Sequence, residues 1–144
     1  MAPDKGKRSK GTRKPRKVPK SVEPPLADAG PPYEVRWHPE ADAERDASWP
    51  PGEKVAMFHS VEKLEAVGPR LGHPHSSAVQ GEEGHGLREL RPRAGRSRWR
   101  PIYRQVTAHV FVIFAVGPEA GIDQAGFDAA VGRAAKRLAQ IEVD

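Results

Sequence analysis

Cysteine is absent from the 144 residues, which excludes disulfide scaffolds, thiolate zinc sites and cysteine nucleophiles. Long apolar runs are missing too. The longest, Val110–Val116, falls far short of the roughly 20 residues that span a bilayer. No apolar stretch follows the basic N-terminus, so no secretory signal is expected. The chain contains no GxxxxGKS/T, no GxGxxG after a strand and no GxSxG, the loops that cradle phosphates or raise a nucleophilic serine. Glu82 and Glu83 are adjacent in a loop and do not make a glycosidase pair. These absences leave a soluble, cytoplasmic domain of ordinary size as the expectation, with no metal, no small-molecule cofactor and no membrane partner.

What is present is an uneven distribution of charge. The formal net charge is +5, but residues 1–30 hold nine Lys/Arg against Asp4, Glu23 and Asp28. Residues 88–104 hold seven arginines (Arg88, Arg91, Arg93, Arg96, Arg98, Arg100, Arg104) and one acid, Glu89. The remainder is therefore strongly acidic, and the two basic segments need separate explanations. The first, rich in Lys, Arg, Pro and Gly, cannot bury enough apolar surface to offset its chain entropy, and residues 1–30 are expected to be a disordered basic tail. That tail suits salt-dependent binding to nucleic acid, a solubilising role, or an upstream start of translation. Residues 31–144 are expected to form the folded domain.

Within that domain, Tyr33–His38 alternates large and polar residues and reads as a first strand. Helices are expected over Glu40–Ala47 and Glu53–Val67, separated at Ser48-Trp49-Pro50-Pro51-Gly52. The second is assigned an apolar side of Val55, Phe58, Val61 and Leu64 and is stopped by Gly68-Pro69. Residues 70–85 read as a loop. Three strands, Gly86–Pro92, Arg98–Val106 and His109–Val116, suggest an antiparallel meander, and the third is apolar on both faces, as a covered central strand would be. Phe127, Val131, Ala134, Leu138 and Ile141 mark a final amphipathic helix, with Arg133, Lys136 and Arg137 placed to suit its dipole. The expected fold is α+β in the order β-α-α-β-β-β-α, a small, mostly antiparallel sheet packed by helices.

The arginine hairpin carries the chemistry. Residues two apart share a face of a strand, which groups Glu89, Arg91 and Arg93 on one strand and Arg98, Arg100, Ile102 and Arg104 on the next. Guanidinium groups crowded in this way repel one another unless an anion neutralises them, and they bind phosphate through bidentate hydrogen bonds. A phosphate-rich polymer fits, with Trp99 and Tyr103 available to stack on bases; a solvated, salt-bridged sheet face is the bland alternative. His73-Pro74-His75 and His85 lie in the preceding loop, where a histidine could act as acid or base. Their spacing matches no established metal motif. His38 and His109 read as surface residues at strand ends.

The run Gly86-Leu87-Arg88-Glu89-Leu90-Arg91, then Gly95-Arg96-Ser97-Arg98-Trp99-Arg100-Pro101-Ile102-Tyr103-Arg104, then Val110-Phe111-Val112-Ile113 resembles the RelE/HigB toxins of type II toxin–antitoxin systems, in particular their phage-derived HigB-like branch within the RelE/ParE superfamily. The helix ending Lys63-Leu64-Glu65-Ala66-Val67-Gly68-Pro69 and the final helix fit the same layout, so the resemblance covers about 33–142. It implies a metal-independent endoribonuclease that cleaves mRNA on the ribosome, inhibits translation and is neutralised by a small antitoxin protein. Carried over residue by residue, Arg91 matches the arginine of the family's "ELR" strand, and Arg100 and Tyr103 match the arginine and tyrosine of the next. Arg91 and Arg100 are then phosphate clamps and Tyr103 a hydrogen-bonding, stacking or core residue. Arg88, Arg93, Arg96, Arg98 and Arg104 are RNA-binding support. The chain departs from the family where relatives carry lysines after the last strand, having Gly117-Pro118-Glu119-Ala120-Gly121-Ile122-Asp123 there, and it ends Gln140-Ile141-Glu142-Val143-Asp144 without the catalytic His, Asp or Tyr that some relatives carry near the C-terminus. Two other readings share the scaffold: a non-catalytic nucleic-acid-binding or degenerate phage-derived protein, and a ParE-like poison of DNA gyrase.

Overall fold

The structure, a computed structural model, describes residues 30–48, 50–81 and 86–143. The expected tail, Trp49, Glu82, Glu83 and His85 lie outside the described residues, apart from Gly30. The elements are β1 (Glu34–Trp37), α1 (Pro39–Ser48), α2 (Pro51–Val67), β2 (Ser76–Ala78), β3 (Arg88–Leu90), β4 (Trp99–Gln105), β5 (Val110–Pro118) and α3 (Gln124–Val143). The five strands form one mixed sheet in the order β1-β5-β4-β3-β2. β1 runs parallel to β5 and every other neighbour is antiparallel. The fold is α+β, and β2 adds a fourth strand to the meander. Three residues (Ser-Ser-Ala) are too few to show an alternation, so this edge strand has no period to read.

β5 lies inside the sheet, between β1 and β4, and is buried along most of its length, as its unbroken apolar run requires. On one face Val112 and Phe114 pack with Ile102 and Leu87 against Phe127, Ala130, Val131, Ala134 and Leu138 of α3. On the other, Phe111, Ile113 and Val116 pack with Tyr103 and Leu90 against Ala41 of α1 and Met57 and Leu64 of α2. Ile141, expected in the α3 stripe, is exposed.

The apolar side assigned to α2 is corrected. Ala56, Met57, Ser60 and Leu64 are its buried residues, with Met57 and Leu64 packed against the sheet, while Val55 and Phe58 are 57% and 60% exposed. Three successive three-residue steps fall short of a full turn by about 60° each at 3.6 residues per turn. Val55 and Leu64 therefore lie on nearly opposite sides of the helix.

The arginines of α3 do more than complement a dipole. Arg137 is buried; its Nη1 donates to the Phe114 carbonyl at 2.7 Å and its Nη2 to Glu44 Oε2 at 2.8 Å. Arg133 Nε donates to the same Glu44 oxygen at 3.0 Å, and Glu44 Oε1 accepts the Val116 N–H at 3.0 Å. Glu44 thus ties α1 to both β5 and α3. Burial pushes its carboxyl up, but the Arg137 and Val116 hydrogen bonds and the charges of Arg133 and Arg137 together hold it below its ordinary value of 4.5. A depressed carboxyl contributes stability that is fully present above the unfolded-state value and is lost as pH falls through the folded one. Glu44→Gln is expected to lower the urea midpoint at pH 7, with the gap from wild type narrowing as the pH drops below about 4. A gap that stays constant with pH would rule out Glu44 as a contributor to acid unfolding.

Candidate functional site

The arginine hairpin does not form two flat stripes. β3 ends at Leu90 because Pro92 offers no N–H to the ladder and fixes its own φ. The chain then turns through Arg93, Ala94 and Gly95 at φ of 58°, 55° and 93°. Two non-glycine residues in the left-handed region carry strain, and Gly95 relieves the third position. A side chain at Gly95 would also collide with Arg91, since a Cβ there would lie 2.6 Å from Nη2. The expected grouping of Glu89, Arg91 and Arg93 is corrected: Arg91 and Arg93 belong to the turn.

Arg91 is half-buried and anchored to the loop before β3. Its N–H donates to the His75 carbonyl at 2.9 Å and its Nε to the Pro74 carbonyl at 3.1 Å. Among the described residues no acceptor takes its Nη groups. The loop 73–75 is therefore brought against the arginine turn, with exposed His73 and half-buried His75 on either side of the anchoring proline. Arg93 is exposed and donates to the Gly52 carbonyl at 3.2 Å at the start of α2. Arg96, also exposed, donates to the Arg93 carbonyl at 3.0 Å. Arg98 is exposed and Arg104 half-buried, the latter close over Gly86. Ser97 Oγ donates to Glu53 Oε1 at 2.6 Å, a second tie between turn and α2.

Two residues singled out by sequence lie beneath this surface. Arg100 is fully buried. Its Nη1 bonds the Ser97 and Trp99 carbonyls, and its Nη2 bonds the Gly95 carbonyl at 3.0 Å and pairs with Glu119 at 3.2 Å. Nε lies 3.2 Å from Glu89 Oε1, an ion pair without hydrogen-bond alignment. Burial pulls the guanidinium below its ordinary range, Glu119 and Glu89 hold it up, and the neighbouring Arg91 pulls it down; an arginine starts so high that it stays charged. Tyr103 is 2% exposed, packs near Phe111 and places its hydroxyl 2.6 Å from Ser76 Oγ. Ser76 Oγ also accepts from Arg88 Nε at 2.9 Å.

The polar residues that sequence reasoning passed over are the partners: Ser76, Glu53, Glu89 and Glu119. Glu89 carried a signal, being the one acid in the arginine-dense window. Glu119 stands in the segment after β5 and closes over Arg100. Among the described residues, no three His, Asp or Glu side chains gather closely enough to hold a metal ion, and no helix is long and apolar enough to cross a membrane.

The strained turn thus carries exposed Arg93 and Arg96, with Arg98 just after it, Arg100 buried against its carbonyls and the 73–75 loop tied to it through Arg91. Arginines are side chains able to hold phosphodiesters by charge and by bidentate hydrogen bonds. A family model described as "Phage derived protein Gp49-like (DUF891)" matches residues 47–118, from the α1–α2 junction to the end of β5. A Mycobacterium tuberculosis (strain ATCC 25618 / H37Rv) protein named "Putative toxin HigB2" is 33% identical over 111 residues, covering 71% of this chain and 55% of that protein. The chain spans about half the length of this curated relative.

Proposed function

This chain belongs to the phage-derived Gp49-like family, whose model matches half of it, and from that membership we propose that it is the toxin of a type II toxin–antitoxin pair with the RelE/ParE-like fold, an endoribonuclease that cuts mRNA on the ribosome in the cytoplasm. The kinship with a protein named as a toxin supports the biological role. The observation that supports the chemistry is Arg91, whose Nε donates to the carbonyl of Pro74, the residue between His73 and His75 in the chain, while among the described residues no acceptor takes its Nη groups.

In this reading the RNA 2′-oxygen attacks the adjacent phosphorus, a P–O bond forms to it, and the bond from phosphorus to the 5′-oxygen breaks. The 2′-hydroxyl proton must leave and the departing oxygen must gain one. His73 and His75 stand in the loop tied to Arg91, and an imidazole can both accept and donate a proton. Arg91 stabilises the charge that builds on the phosphoryl oxygens. Arg93, Arg96 and Arg98 track the neighbouring phosphates, with Arg88 and Arg104 in support. Arg100 and Tyr103 act from below: Arg100 fixes the carbonyls of the turn, and Tyr103 fixes Ser76 and, through it, Arg88. Glu119 in place of a post-strand lysine favours the second reading, a nucleic-acid-binding protein without cleavage.

Induced expression followed by mapping of mRNA 5′ ends separates these readings. Growth arrest with new 5′ ends inside translated messages is expected. Arrest without new ends would overturn the endoribonuclease reading and leave gyrase poisoning. Soluble protein without arrest would favour binding alone.

A further inference from the structure

A glutamate at the third position of a helix ordinarily bonds back to the N–H of the residue before the helix. Glu53 holds that position in α2, but the residue before the helix is Pro50, which has no N–H to give. The carboxylate reaches the arginine turn instead. Its Oε1 accepts the Ser97 hydroxyl at 2.6 Å, and its Oε2 lies 3.9 Å from Arg93 Nη2. The neighbouring Gly52 carbonyl accepts from the same Arg93 nitrogen at 3.2 Å. Arg93 opens the left-handed path of the turn, and Ser97 closes it. The Ser97 N–H donates to the Pro92 carbonyl at 3.2 Å, and its Oγ accepts the Trp99 N–H at 3.2 Å. Between them, Gly95 donates its N–H to the Arg91 carbonyl at 3.2 Å and stands against the Arg91 guanidinium. Two non-glycine residues in the left-handed region keep that shape only where their surroundings impose it. Arg100 holds the turn by its carbonyls; the start of α2 holds it by the Arg93 and Ser97 side chains.

We propose that Glu53 is a positioning residue: through Ser97 it fixes the arginine turn, and with it the places where Arg91 and Arg93 meet a bound phosphodiester. The reaction it serves rests on the endoribonuclease reading; its hold on the turn does not. The hydrogen bond and the charge of Glu53 act in opposite senses. A carboxylate beside Arg93 repels the phosphate that Arg93 would bind, so it works against RNA affinity. The order it imposes on the turn works for the reaction, because groups that stabilise a transition state must already stand in place. Removing the charge alone is therefore expected to tighten RNA binding, and removing the hydrogen bond to slow cleavage. A glutamate that merely stabilised the fold would move both quantities the same way.

Glu53→Ala and Glu53→Gln both remove the charge, and only glutamine keeps an oxygen for the Ser97 hydroxyl. Saturated single-turnover cleavage of a ribosome-bound message is expected to slow at least about tenfold in Glu53→Ala, as displacement of groups near the chemistry does, and to recover most of that in Glu53→Gln. Ser97→Ala removes the same bond from the other side, and is expected to slow cleavage with little further loss in the double variant. Affinity of Glu53→Gln for a short 2′-O-methyl RNA, which offers no attacking hydroxyl, is expected to rise about two- to fivefold, the range for an exposed ion pair. Amide hydrogen exchange in the full chain reads the turn without cleavage. Exchange at Gly95, Arg96 and Ser97 is expected to speed at least about tenfold in Glu53→Ala while the amides of α3 keep their wild-type rates. Unchanged exchange at the turn overturns the proposal, and so does exchange that speeds equally in α3, which would mark a loss of global stability. Equal slowing of cleavage by Glu53→Ala and Glu53→Gln, or weaker RNA binding by Glu53→Gln, overturns it as well. If wild type cleaves nothing while Glu53→Ala loosens the turn alone, the endoribonuclease reading falls and the hold on the turn stands. If wild type cleaves and Glu53→Ala cleaves at the same saturated rate, the positioning role falls by itself.

Discussion

Arg100→Ala is expected to destabilise the domain by about 3–5 kcal/mol, the range for removing one partner from a buried ion pair. The residue is fully buried, so the substitution leaves a cavity and strands what the guanidinium satisfied. The carbonyls of Gly95, Ser97 and Trp99 lose a donor, the Ser97 carbonyl in a buried setting and the other two in part-buried ones, and an unpaired acceptor costs most where water cannot reach it. Glu89, 15% exposed, loses its counter-ion, whereas Glu119, at 35%, can turn toward water. In a domain of this size each kcal/mol moves the melting temperature by roughly 4–8 °C, so a drop on the order of 15 °C or more is expected in a thermal melt followed by circular dichroism. Arg100→Lys keeps the charge but not the planar fork that reaches several acceptors at once, and is expected to recover only part of the loss. A double-mutant cycle with Glu89→Ala is expected to be non-additive, because removing both leaves no orphaned charge at the more buried carboxylate and only the more exposed Glu119 without its counter-ion. If Arg100→Ala melts with wild type, the buried network is not holding the turn.

That result bears on what the sequence could reveal. Val110–Val116 identified a strand covered on both sides, and the structure places it inside the sheet, between β1 and β4. The stripe of Phe127, Val131, Ala134 and Leu138 identified α3, because four- and three-residue steps alternate and stay on one side. Val55, Phe58, Val61 and Leu64 misled because steps of three alone drift round the helix. β2 was too short to show a period. The site was legible as a place and less so as roles. Seven arginines in one hairpin point to an anionic partner, but nothing in that count distinguishes Arg91, whose Nη groups meet no acceptor among the described residues, from Arg100, enclosed by three carbonyls and two carboxylates. Burial of an arginine depends on whether acids from distant parts of the chain converge on it. Glu119 reaches Arg100 only because β4 and β5 pair with Arg100 opposite Gly117. Proline at 92 and glycine at 95 did announce a turn, though not its left-handed path.

Arg91→Ala is expected to separate activity from folding, where Arg100→Ala would confound them. The side chain is half-buried and its one described bond is to the Pro74 carbonyl. Losing that bond costs about 1 kcal/mol or less, and the N–H bond to the His75 carbonyl remains. If Arg91 stabilises charge on the phosphoryl oxygens, its loss is expected to slow cleavage about 100- to 1,000-fold, as removal of one electrostatic donor does. Arg98→Ala, at an exposed position, is expected to weaken RNA binding modestly and to reduce its salt dependence, as loss of a phosphate contact does. The measurement is single-turnover cleavage of a ribosome-bound message, with melting temperatures taken on the same preparations. Single-turnover conditions at saturation keep weakened binding apart from slowed chemistry. A residue that merely tethers RNA would change the concentration needed for saturation and leave the saturated rate intact. A clamp on the reacting phosphate would lower the saturated rate itself. Wild-type cleavage by folded Arg91→Ala would remove Arg91 from the chemistry and shift attention to the exposed arginines of the turn.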